Sequence, residues 1–65
     1  MQVHLRLNQP VPAVKDWQGV ELVVESPIAQ PGMTELVSEA HKNHALISVI
    51  PEARGWYDKL FHTAN

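Results

Sequence analysis

No cysteine occurs among the 65 residues, and in a chain this short that omission narrows the possible folds more than any residue present. A domain of about 60 residues buries only about 60% of its unfolded surface, close to the lower limit for independent folding. Chains of this size usually recover stability from disulfides, a metal or another subunit. Without thiols, neither a disulfide nor a thiolate zinc site can form. An efficient apolar core or association with a partner remains, and the 45% hydrophobic content suits both. Charged residues make up 18% of the chain and the net charge is −2, so composition does not point to disorder.

The charge balance argues against a dedicated nucleic-acid binder. Five basic residues (Arg6, Lys15, Lys42, Arg54 and Lys59) are scattered and outnumbered by seven acids. Proteins that rely on phosphate contacts cluster their basic side chains on one face, and here only a dimer would double what patch exists. No apolar run approaches the roughly 18 residues needed to span a bilayer. Residues 1–7 alternate in polarity, unlike the continuous apolar stretch of a secretory signal. These features predict a cytoplasmic protein with no membrane association.

Val3, Leu5 and Leu7 alternate with Gln2, His4 and Arg6, which predicts a strand over 2–7 with one buried face. Pro10 and Pro12 break the pattern, each removing a backbone donor. Residues 13–17 read as an edge strand or an extended loop, with Trp17 either a lid on the core or a second exposed anchor. The β-branched run at 20–25 predicts a second strand, paired hairpin-like with the first. After the Pro27–Gly32 loop, Met33, Leu36, Val37 and Ala40 share one helical face, predicting a helix over 33–43 that ends at Asn43-His44. The apolar segment 45–50 reads as a central strand buried on both faces, stopped by Pro51. Gly55 opens a short amphipathic helix over 55–62. The expected fold class is therefore α+β: a single domain, 1–65, with a small mixed three-stranded sheet and one helix packed on it.

Three sets of residues invite a functional reading. Trp56, Tyr57, Leu60 and Phe61 gather three of the four aromatic residues near the end of the chain. Their bland role is completing the core; their functional role is a protein-binding anchor, since aromatics dominate interface hot spots. His41 and His44 lie three apart on the predicted helix and could share a metal, with Glu39 or His62 as further ligands. Structural zinc sites need four ligands, however, and no telling spacing supplies the rest. Arg6 and Lys15 are the basic residues of the N-terminal half, and a symmetric dimer would place two copies of Arg6 on one ribbon facing a DNA groove. Catalysis finds no foothold: no serine sits in a glycine-flanked elbow and no glycine-rich phosphate loop is present. Neither an enzyme nor a cofactor is expected.

Two local features resemble small bacterial antitoxins of the swapped-hairpin (MazE or AbrB-like) type. Val3-His4-Leu5-Arg6-Leu7 with Val20-Glu21-Leu22-Val23-Val24 looks like their strand pair, and Gly55-Trp56-Tyr57-Asp58-Lys59-Leu60-Phe61 is similar to the aromatic tails that wrap a toxin. The resemblance covers about 20 residues. Between the strands, where those families carry a basic loop, residues 8–15 offer Lys15 alone. The resemblance implies a non-catalytic, homodimeric protein that regulates or inhibits a protein partner through Trp56, Tyr57, Leu60 and Phe61, with auxiliary DNA contact through Arg6 and Lys15. A structural or accessory subunit of a larger assembly is the alternative.

Overall fold

The computed structural model describes residues 1–61. Its elements follow the order β1 (Gln2–Leu5), β2 (Glu21–Val24), α1 (Met33–Lys42), β3 (Leu46–Val49), a single 3-10 turn (Pro51–Ala53) and α2 (Arg54–Phe61). The α+β arrangement of three strands with one main helix and a short C-terminal helix is as expected. Residue 62, assigned to the last helix from the sequence, lies outside the described residues.

The pairing of the first two strands differs from expectation. The sheet runs β1-β2-β3 and is parallel throughout, with Val3 beside Leu22 and Leu22 beside Ile47. The hairpin-like pairing of the first two strands is thus corrected to a parallel one, and the mixed sheet to an all-parallel one. The connection over 6–20 is long enough to carry the chain back to the start of a parallel strand, which needs a dozen or more residues. It contains no helix. Instead Val11, Val14 and Trp17 join the apolar cluster directly, and Trp17 is buried.

A second correction concerns the order. The sequence made 45–50 the central strand, but β3 is an edge and β2 is central. Leu46 is 65% exposed. An apolar run suggests burial on both faces, but the described residues cover only one face of this sheet. That face carries the rows Val3–Leu22–Ile47 and Leu5–Val24–Val49, which join Met33, Leu36, Val37 and Ala40 of α1 in one cluster. Burying such side chains contributes about 1.5–3 kcal/mol each.

Helix α1 starts at Gly32, whose φ of 90° is a left-handed geometry that favours glycine; a Cβ there would meet Val11 Cγ2 at 3.4 Å. No side chain caps this end, and Thr34 instead donates to the Glu35 carboxylate at 2.8 Å. The C-terminus closes through two reverse bonds, Ala45 N–H to Ala40 C=O and His44 N–H to His41 C=O. This is the Schellman arrangement, which places its following residue in the left-handed region. His44 occupies that position with φ 59°, where glycine is the usual residue.

Candidate functional site

The uncovered face of the sheet carries two clusters of bonded polar side chains around an apolar centre. Because the strands are parallel and in register, Gln2, Glu21 and Leu46 form one row and His4, Val23 and Ser48 the next. Glu25 follows at the end of β2. Gln2 Nε2 donates to Glu21 Oε1 at 3.0 Å, and Ser48 Oγ donates to Glu21 Oε2 at 3.3 Å. One row further on, Arg6 Nε donates to Glu25 Oε2 at 2.8 Å, and His4 Nδ1 lies 3.0 Å from the same oxygen. The Arg6 guanidinium first, and the His4 ring second, hold the Glu25 carboxyl below its ordinary range. Val23 and Leu46 lie between these polar groups. Sequence reasoning missed Glu25 as a hub. The signal was available: two glutamates four apart on a strand share a face, and the preceding strand supplies Gln2, His4 and Arg6 to that face once the pairing is known.

The sequence-derived candidates fall into separate places. In α2, Trp56, Tyr57, Leu60 and Phe61 are half-buried and pack against the core cluster. Trp56 is tied down, its Nε1 donating to the Ser26 carbonyl at 2.6 Å. Phe61 lies edge-on to Tyr57, with ring centroids 5.1 Å apart, and against His41 at 4.4 Å. Burial first, and the neighbouring Asp58 carboxylate second, push the Tyr57 phenol above its ordinary value, which keeps it neutral.

The two histidines meet different neighbours. His41 is an exposed residue with its ring against Phe61, whereas His44 lines a cavity of about 390 Å³ with Trp17, Gly19 and Glu21. Among the described residues no three of His, Cys, Asp and Glu converge on a metal position; His62 lies outside them. Arg6 is engaged by Glu25, and Lys15 is exposed on the 6–20 connection.

The cavity sits at the amino ends of the strands, where Met1, Gln2, Glu21 and Leu46 meet. Its size is at the low end of small-molecule sites. Both Glu21 oxygens already accept hydrogen bonds. Among the described residues no helix is long and apolar enough to cross a membrane. Comparison of the chain with protein-family models, curated proteins and solved structures finds no match.

Proposed function

We propose that this chain is a small, non-catalytic, homodimeric binding protein that regulates a protein partner, which docks on the open face of the sheet. The observation that carries the reading is an all-parallel sheet that the described residues cover on one side only. Parallel sheets occur almost exclusively with both faces covered, so a face left uncovered by the described residues calls for cover from another molecule. Val23 and Leu46 offer the apolar centre and the bonded polar groups offer a rim, the usual anatomy of a protein interface. Glu21 on the central strand, bonded by the neutral Gln2 and Ser48, favours a partner with basic side chains and opposes phosphate. Auxiliary DNA contact by Arg6 and Lys15 has correspondingly less support, because Arg6 is already paired with Glu25. The antitoxin-like form of the reading retains α2 as a second contact, with Tyr57, Leu60 and Phe61 half-buried at its edge.

The test uses Val23→Lys, which lies between Glu21 and Glu25 on the open face and leaves the covered side intact. With far-UV circular dichroism unchanged, a partner captured by the wild-type chain should be captured at least tenfold less well by the variant. Undiminished capture by Val23→Lys refutes docking on this face, and loss with Phe61→Ala instead moves the contact to α2. The accessory-subunit alternative rests on the same one-sided cover and differs in behaviour: a purified chain that aggregates alone is an obligate subunit.

A further inference from the structure

The two edges of the sheet are unlike. On β1, Glu21 N–H bonds to Met1 C=O and Glu25 N–H to Leu5 C=O, so the odd-numbered residues turn their backbone groups inward. The outward ones belong to Gln2, His4 and Arg6, whose polar and charged side chains are of the kind that blunts an edge against further pairing. On β3, Ile50 N–H bonds to Val24 C=O. Alternation then turns Ser48 and Leu46 toward β2, and Ile47 and Val49 outward. Among the described residues, no backbone partner outside the sheet meets Ile47 or Val49. The segment Leu46-Ile47-Ser48-Val49-Ile50 carries no charge, and Pro51 lies beyond it.

This segment is also nearly palindromic in character. Read in either direction, it is two branched aliphatic residues, a serine and two more branched aliphatic residues. An antiparallel copy centred on Ser48 would set Leu46 opposite Ile50 and Ile47 opposite Val49 on both sides of the centre. Ile47 and Val49 are the residues with outward backbone groups, so the same register lets each exchange both hydrogen bonds with its opposite number. Ser48 would face Ser48 as a non-hydrogen-bonded pair. Side-chain match and backbone match select one register.

We infer that β3 pairs with β3 of a second copy of this chain, antiparallel, about a twofold axis through Ser48. This deepens the dimeric part of the proposed function by naming its interface, and needs no partner protein for its test. The axis stands perpendicular to the sheet, so both open faces lie on one side of a continuous six-stranded sheet and both α1 helices on the other. Leu46 is then flanked by Ile50 of the second copy, side by side on the open face. A five-residue strand pair buries less than the roughly 1,200 Å² of standard stable interfaces, which makes the dimer a weak, concentration-dependent one.

The chain has no cysteine of its own, so single-cysteine variants report the geometry cleanly. Sedimentation of the wild-type chain between about 5 and 500 μM should show a monomer converting to a dimer. Under mild oxidation, Ser48→Cys should cross-link at least tenfold faster than His4→Cys, which marks the β1 edge. A second, independent check fixes the register: an equimolar mixture of Leu46→Cys and Ile50→Cys chains should cross-link, while either alone should not. A monomer at every concentration overturns the inference, as does equal cross-linking at positions 4 and 48. Rapid cross-linking of Leu46→Cys alone overturns the register. A dimer through β3 that captures no partner would leave this inference standing and remove the docking one.

Discussion

The same substitution at the two tryptophans should have different consequences. Trp56 Nε1 donates to the carbonyl of Ser26, a residue with no exposed surface. Trp56→Phe keeps an aromatic ring but strands that buried carbonyl, which costs about 1–3 kcal/mol. Trp17 is 7% exposed and its Nε1 is buried with no acceptor among the described residues. Trp17→Phe removes roughly 40 Å³ of side chain, about 1 kcal/mol at the usual cavity coefficient and about 2 kcal/mol with the lost transfer of the removed atoms. It also removes an unpaired buried donor, whose relief is worth about 1–3 kcal/mol, so the two effects offset. In a domain of this size 1 kcal/mol moves the melting temperature by about 4–8 °C. Thermal melts by circular dichroism should place Trp56→Phe roughly 8–16 °C below the wild type, about 2 kcal/mol. Trp17→Phe should fall within about 1 kcal/mol of it, on either side. Each variant retains one tryptophan, so fluorescence tracks the same transition independently. Equal losses at both sites, or a larger loss at Trp17, would refute the reasoning from hydrogen-bond satisfaction.

Two further outcomes follow from backbone strain and from charge. His44→Gly relieves a left-handed residue at the end of α1 and should stabilise the fold by about 1 kcal/mol, read as a higher urea midpoint; a lower midpoint would mean that the imidazole contributes more than the strain removes. For Glu25, folding favours the ionised carboxyl because Arg6 and His4 bond it. Its contribution is complete above the unfolded value of about 4.3 and is lost as pH falls through the lower folded value. Glu25→Gln should therefore flatten the fall in melting temperature below about pH 4.3, and an unaltered slope would place the acid sensitivity on other carboxylates such as Glu35.

Periodicity made the elements legible. The alternation of Val3 and Leu5, the β-branched run through Leu22 and Val24, and the spacing of Met33, Leu36, Val37 and Ala40 each mark a side chain's face, and those faces are the buried ones. The relation between elements was harder to read, because periodicity says which side of a strand is apolar and not which neighbour lies beside it. Two successive strands suggest a hairpin, yet residues 6–20 are long enough for a crossover. Val11, Val14, Trp17 and Val20 make that segment apolar enough to lie across the sheet. The edge position of β3 was masked similarly, since an uncharged aliphatic run is equally consistent with burial on both faces and with an edge that lacks protective charge. Of the candidate residues, Trp56 was legible as an aromatic but not as a donor, because its acceptor lies thirty residues away on a loop.

Ser26 is the only polar side chain among the fully buried described residues, and its hydroxyl closes on its own loop at the Ile28 carbonyl. An interior without an acid or a base has no proton equilibrium to couple to its packing. Protonation can act on this molecule only from outside the core, and Glu25 with its two bonded neighbours, Arg6 and His4, stands on the uncovered face. A fall in pH therefore reaches the charge of Glu25 only below the ordinary carboxylate range, while the aliphatic layer beneath it remains indifferent.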